Sequence, residues 1–503
     1  MDSIVSGSFD RVMSDSADFF RSRLDQMIDL RHPLAVLASR MPWQEIEATI
    51  AHHFARRARV GKSIKDVDLF GPVTQHVGSG ISKAGRPRLP FRLMISLLYL
   101  KYAFNESDEG VVDRWAETPS WQYFSGMDYF EHRRPCDPTQ LMRFRRILGE
   151  EGVEELLAQT INAAVQMKLI EREALTEVIV DSTVQCKAIA HPTDTKLLET
   201  ARLKLVELAR DVGIAVKQTY AKEGRHLSYR AGRYAHARQL KRLRRVNQRH
   251  RTIVGRLMRD ITRKLEDKTL NEPQRQRCEE TLQKTQQIIQ QTAQRKAVDG
   301  QPKLYSWHAP EVFCISKGKS RTPYEFGVKV GIATTLQGNL IVSARAFEGN
   351  PYDGHTLVSQ LEQASILMQD TGVEPDTAYV DLGYRGVDQD NPGVQICHRG
   401  KKKRLTAHQL KRLPRRQAIE PIIGHLKADH RMDRCHLKGS LGDKLHAVLC
   451  AAGYNIRWLL RMIARKGIGF FFAFVWLLDL GGKVANEFGK SIVGRSLKVP
   501  ALA

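Results

Sequence analysis

The sequence predicts an α/β protein built on a mixed five-stranded sheet flanked by helices. An all-helical region precedes the sheet, and a basic helical hairpin interrupts it after the first strand. Three observations carry this reading. The β-branched runs EVIVDSTV (177–184) and DTAYVDLGY (376–384) have the length and composition of buried strands. Between them, YEFGVKVGIATT (324–335) and NLIVSARAF (339–347) alternate around Leu336, Gln337 and Gly338, the pattern of a β-hairpin, and residues 354–371 read as a helix. Residues 195–300 hold 26 Lys plus Arg against 11 Asp plus Glu, a net +15. Within them Leu243, Val246, His250, Ile253, Leu257, Ile261 and Leu265 recur at three- and four-residue steps, a helix seam.

The chain has 503 residues, enough for several domains with a buried core. Its 79 Lys plus Arg against 55 Asp plus Glu give a formal charge of +24, which favours a polyanionic partner, nucleic acid first. The seven cysteines are scattered with no CxxC pair, so reduced thiols are expected. The start, MDSIVSGSFDRVM, has neither a basic nor an apolar leader region, and IGFFFAFVWLL (468–478) is too short to span a bilayer. A cytoplasmic, nucleoid-associated protein is expected.

Taken in order, residues 1–170 read as helical. The apolar run at 91–104 follows Gly85–Pro90, whose two prolines bar an earlier helix start. Residues 106–115 and 138–148 continue the pattern. The latter begins with Asp137 as N-cap and Pro138 at the first helical position, and it carries Arg143, Arg145 and Arg146 on a side that suits either DNA or solvent. In the strand at 177–184 a single acid, Asp181, interrupts the apolar residues, which is costly unless it is paired, hydrogen-bonded or metal-bound. The basic helix of 195–300 ends at Asn271, Glu272 and Pro273, and Leu282, Ile288 and Ile289 mark a return helix; the charge imbalance points to contact with a DNA backbone. The loop SKGKSR (316–321) offers Lys317, Lys319 and Arg321 to phosphates, Asp381 sits near the end of the strand at 376–384, and residues 394–397 suggest a fifth strand. After the basic loop at 401–404, residues 415–430 form a helix that puts Arg416, Glu420 and Lys427 within about 40° of one another at ~100° per residue. Ile419, Ile422, Ile423 and Leu426 form its apolar stripe, and residues 441–465 read as a long amphipathic helix over the sheet. The expected domains are a helical DNA-binding and dimerisation domain at 1–170, a catalytic domain at 171–195 and 301–467, a basic insertion at 196–300, and an apolar tail at 468–503.

A strand, a hairpin, a crossover helix and a further strand make a mixed sheet of ribonuclease-H type, in which the first and fourth strands are neighbours. Asp181 and Asp381 on those strands and Glu420 on the flanking helix would then converge as hard oxygen ligands for Mg²⁺ or Mn²⁺, two ions in phosphodiester chemistry. A Ser/His/Asp hydrolase lacks its G-x-S-x-G elbow and an ATPase its phosphate loop. Pairing Cys397-His398 with Cys435-His436 as a zinc site fits no usual ligand spacing.

The residues also resemble a family. Arg416, Glu420 and Lys427, separated by three and six residues, match the signature around the catalytic Glu of bacterial insertion-sequence DDE transposases. EVIVDSTV, KGKSRTPYEFGVKVGIATT, GNPYDGHTL and AYVDLGYRGVD look like the group typified by insertion sequence five, within the insertion-sequence four/five superfamily, and residues 89–124 resemble its N-terminal helical domain. One position departs from the signature: Leu413 stands where a Tyr is usual. The resemblance implies a transposase that cuts double-stranded DNA at terminal inverted repeats and joins the freed 3′-hydroxyls to target DNA. It implies Asp181, Asp381 and Glu420 as metal ligands, Arg416 and Lys427 on the DNA backbone, Tyr384 and Arg385 holding the flanking strand, and a synaptic homodimer. A repeat-binding repressor without catalysis and a structure-specific nuclease on the same fold are the alternatives.

Overall fold

The computed structural model describes residues 23–54, 62–68, 71–77, 88–294, 302–316 and 323–493, with backbone alone at 62–68, 71–77 and 468–493. Lys317, Lys319 and Arg321 lie outside the described residues. The chain forms two compact units: the described residues up to Leu175 with Leu367–Val373 and those from Ala451, and Thr176–Ile366 with Glu374–Cys450.

In the first unit the helix Phe91–Ala103 is buried on nearly every side, as its continuous apolar sequence requires. It meets the helix Gly439–Val493 where Gly453 has no side chain, since a Cβ there would lie 2.5 Å from the Tyr102 carbonyl carbon. The helix Pro138–Gln166 starts as expected, with the Asp137 carboxylate accepting from the Thr139 amide at 2.9 Å. It is broken at Gly149, whose φ of 66° and ψ of −167° suit glycine alone. Arg145 is a correction: it is not on the exposed basic side but 2% exposed, on the same face as Leu141 and Leu148. There it makes two 2.9 Å bonds to Asp108, and Lys101 adds a third at 2.7 Å. Burial would raise the Asp108 pKa, but these two cations override it and hold the carboxyl well below the usual range. A second departure lies in the region expected to be all-helical, where strands β1 (Lys62–Asp68) and β2 (Gly71–Val77) pair antiparallel. Ile64, Val67, Val73 and Val77 supply the β-branched residues such a pair favours.

The second unit is α/β, with a mixed sheet flanked by helices. At its centre β3 (Glu177–Cys186) runs antiparallel to β5 (Tyr324–Thr335), from Val178 opposite Thr335 to Cys186 opposite Gly327. Its other edge pairs in parallel with β7 (Thr377–Tyr379), and β7 with β8 (Gln395–Cys397). The far edge of β5 carries β6 (Ile341–Phe347), and further along β4 (Phe313–Ser316), a strand that the sequence reading did not include. The hairpin between β5 and β6 turns at Gly338 and Asn339, both at positive φ. The run read as one strand at 376–384 is a strand over three residues only. Asp381 stops it by accepting a 2.7 Å bond from the Gly383 amide, which caps a 3-10 turn over Leu382–Tyr384.

The basic insertion is a bundle of four helices, Asp194–Asp211, Ala221–His236, Leu240–Leu265 and Glu272–Gln294, rather than a hairpin. The last two are the expected pair. The first two join them because Leu198, Ala201, Leu205 and Leu227 complete the core of Val246, Ile253, Leu257, Ile261 and Ile288. The long terminal helix, expected over 441–465, runs from Gly439 to Val493, and among the described residues no helix is long and apolar enough to cross a membrane.

Inside the bundle His250 is wholly buried, its Nε2 3.0 Å from a Glu199 oxygen, and Arg202 gives the same carboxylate bonds of 2.9 and 2.6 Å. Burial alone would raise the Glu199 pKa; the His250 hydrogen bond and Arg202 outweigh it and lower the pKa from 4.5 to about 2. A depressed pKa contributes stability that is complete above the unfolded value and disappears as pH falls from about 4.5 towards 2. Amide exchange of the Leu240–Leu265 helix should therefore be faster in Glu199→Gln than in wild type at pH 7, and the difference should shrink as pH drops through that window.

Candidate active site

The site grows out of the β3–β7 ladder. Its parallel register pairs Glu177 with Thr377 and Ile179 with Tyr379, and Asp181 and Asp381 each follow two residues after that last pair. Asp181 leaves β3 on the side of Ile179, and Asp181, Asp381 and Asp353 all act on the buried Tyr384 phenol. Asp181 is the one half-buried residue inside the otherwise buried stretch Val178–Val184, and its Oδ1 accepts from the Ser182 amide at 2.7 Å.

Glu420 comes from the helix Ile419–Asp429, which packs on β3 through buried Ile419, Ile422 and Leu426. This α-helix is shorter than expected. Pro414 precedes it in a 3-10 stretch over Leu413–Ala418, and Arg416 belongs to that stretch. The Arg416 guanidinium still lies between two carboxylates, 3.6 Å from Asp181 and 3.9 Å from Glu420. These separations are too long for hydrogen bonds and act as charge–charge attraction. Lys427 turns elsewhere, to Glu325 at 3.0 Å.

A fourth acid, Asp353, belongs to the group and was missed from the sequence. It opens the helix Asp353–Met368 and accepts from the Ser182 hydroxyl at 2.9 Å and from Lys329 at 3.0 Å. A Cβ on Gly383 would lie 2.9 Å from Asp381 Oδ1 and 3.4 Å from Asp353 Oδ2, so this glycine leaves room for both carboxylates. Two signals were available: Asp353 stands in GNPYDGHTL, and Lys329 is a lone charge in the apolar run of β5, as anomalous there as Asp181 is in β3. Tyr384 is 1% exposed. Burial first, then the charges of Asp353, Asp181 and Asp381, push its phenol well above its ordinary pKa. Its ring is therefore a wall of the acidic cluster, and Arg385 is the exposed member of the pair.

The oxygens of Asp181, Asp381 and Glu420 do not all lie within 4.8 Å of one another; among the described residues the group that meets this spacing is His52, His53 and Glu151, in the first unit. Glu420, with a side chain 65% exposed, is the acid with rotameric freedom to approach the others. The donor set nevertheless fits a hard divalent cation. It is all carboxylate oxygen, and Asp181 and Glu420 already share one positive charge.

The chain matches two family models, "Transposase domain (DUF772)" over residues 58–146 and "Transposase DDE domain" over residues 290–456. The second match includes Asp353, Asp381, Arg416, Glu420 and Lys427 and leaves Asp181 outside. The chain is 39% identical over 229 residues to "Uncharacterized protein ORF8 in nfe locus" of Rhizobium meliloti, an alignment covering 46% of this chain and 98% of that protein. No solved structure matches. Two transposase domains in succession and a relative matched over nearly its whole length settle the family: the chain belongs to the DDE transposases of the insertion-sequence four/five type.

Proposed function

We propose that this transposase cuts DNA at terminal inverted repeats and joins the 3′-hydroxyl ends to target DNA, with Asp181, Asp381 and Glu420 as its catalytic carboxylates. The observation that supports this best is Arg416 lying between Asp181 and Glu420, together with the β3–β7 ladder, whose last pair stands two residues before Asp181 and Asp381. The strand order suits a ribonuclease-H-like sheet, in which the first and fourth strands are adjacent.

In the first step water attacks a phosphodiester; a bond from water oxygen to phosphorus forms, the bond to the 3′ oxygen breaks, and that oxygen takes up a proton. In the second the freed 3′-hydroxyl loses its proton and attacks a target phosphodiester, displacing the target's own 3′ oxygen. One ester replaces another, so no nucleotide hydrolysis and no covalent protein–DNA intermediate are required. Mg²⁺ or Mn²⁺, two ions in our reading, would be held by Asp181, Asp381 and Glu420 and would supply charge neutralisation at the attacking and leaving oxygens.

The chain's own residues set up this chemistry. Lys329 and Ser182 fix Asp353 beside Asp381 and offset part of the crowded negative charge. Tyr384 closes the cluster from within and excludes water from its buried side. Arg416 steadies Asp181 and is placed to meet a backbone phosphate, as is Arg385; Lys427 does so on exchanging Glu325 for DNA. The partners are double-stranded DNA, as transposon ends and as target, and a second copy of the chain in the synaptic complex. The first unit serves end binding and dimerisation, and the protein works in the cytoplasm at the nucleoid.

On labelled duplex carrying the element's terminal repeat, with Mg²⁺, wild type should cleave at the repeat boundary and join the end to a second duplex. Asp181→Asn and Glu420→Gln should each lose at least about 10²-fold of both steps, the scale of several kcal/mol of charge stabilisation, while still binding the repeat. Tight binding by all three proteins with cleavage by none would instead identify a repressor. Gly383→Ala places a methyl against Asp381 and Asp353 and should lower cleavage about 10–100-fold without weakening DNA binding. Full activity in that variant would show that the two acids need no such clearance.

A further inference from the structure

In the insertion bundle the positive charge is sorted by position. The helix Leu240–Leu265 turns Val246, His250, Ile253, Val254, Leu257 and Ile261 into the core. Away from that face, Arg242, Arg245, Arg249, Arg256, Arg259 and Arg263 fall within an arc of about 100° at ~100° per residue. Successive members of this ridge follow the steps of three, four and seven that keep one side of a helix in register. From Arg242 to Arg263 it runs about 30 Å at ~1.5 Å per residue.

Arg249 is paired with Glu223 at 2.7 Å, whereas Arg245, Arg256, Arg259 and Arg263 form no ion pair among the described residues. Six like charges on one exposed stripe repel one another, and none of them belongs to the core of the bundle. The neighbouring helix Ala221–His236 extends the surface. It exposes Lys222, Arg225, Arg230 and Arg233, with Tyr229 66% exposed among them, and Arg230 and Arg242 from the two helices approach the same Tyr234 ring.

We infer that this arginine ridge is a binding site for the phosphate backbone of duplex DNA, separate from the carboxylate cluster. The ridge is nearly as long as one turn of B-DNA, ~34 Å, and a duplex presents a phosphate charge about every 1.7 Å of its axis. The choice of Arg fits this partner, because the planar guanidinium grips phosphate oxygens in pairs. The ridge carries no apolar side chain of the kind that would enter a lipid surface. The inference rests on the transposase reading only in its choice of DNA as the polyanion. The site positions the duplex and does not read its sequence.

The test uses the full-length protein and fluorescence anisotropy with two 30-base-pair duplexes, one bearing the terminal repeat and one of random sequence, across a salt series without divalent ions. Arg245→Ala, Arg256→Ala, Arg259→Ala and Arg263→Ala combined should weaken binding to both duplexes alike. The slope of log affinity against log salt should become shallower by about 3 to 4, near 0.9 per lost phosphate contact. The same four positions changed to Lys should restore most of the slope. An unchanged slope in the alanine variant would overturn the ridge while leaving the catalytic reading intact. A loss confined to the repeat duplex would overturn it in favour of base readout. A loss of binding to phosphatidylserine-containing vesicles with DNA binding unchanged would overturn it in favour of a membrane surface. If wild type bound neither duplex, the transposase reading and the ridge would fall together.

Discussion

Three residues of parallel pairing between β3 and β7 set the geometry on which the rest of this site depends. Asp181 and Asp381 are 200 positions apart in sequence, and each stands two residues beyond the last β3–β7 pair, Ile179 with Tyr379. The ladder stops where the acids begin. Val380 turns its amide to Cys397 of β8, and Asp381 caps the turn that carries the chain away from β3.

Gathering acids at one edge raises a second problem, mutual repulsion in a partly dehydrated place. The protein answers with cations of restricted reach. Lys329, buried in β5, is held by Asp353 and the Pro351 carbonyl, and Arg416 lies between Asp181 and Glu420. The same physics recurs in the structural cores. Arg145 with Asp108, and His250 and Arg202 with Glu199, are buried charges that neutralise one another and fix helix positions. The ridge on Leu240–Leu265 is the opposite case, with charge left outward and largely unmatched, and this contrast separates a solvated binding surface from internal ion pairs.

Much of the sheet and of the acid order was legible from the chain alone. β3, β5, β6 and β8 fall where β-branched alternation put them, and Asp181 and Glu420 lie on a strand and a helix as expected. What escaped depended on contacts distant in sequence. β4 is four residues long and exists as a strand only because β5 is there to pair with it. Asp353 looks like an ordinary helix-start acid until Ser182 and Lys329 come to meet it. Arg145 looks solvent-facing among basic neighbours until the helical period sets it beside Leu141 and Leu148 and opposite Asp108. In the insertion the density of Arg and Lys hid two helices whose Leu and Ala spacing was there to be read. Tyr384 stands beside Asp381 in sequence, where a DNA contact is expected, and its burial depends on packing that its neighbours in the chain do not reveal.

Asp181, Asp381 and Glu420 are proposed to share one divalent-cation site, and a redox-active cation reports directly where it sits. Fe²⁺ with ascorbate and peroxide, added to the full-length protein bound to duplex DNA, generates hydroxyl radicals that cut the polypeptide near the bound iron, and mass spectrometry locates the cuts. The expected result is cleavage close to residues 181, 381 and 420 together, suppressed by excess Mg²⁺. Cuts confined to the neighbourhood of His52, His53 and Glu151, or a pattern that Mg²⁺ leaves unchanged, would contradict it.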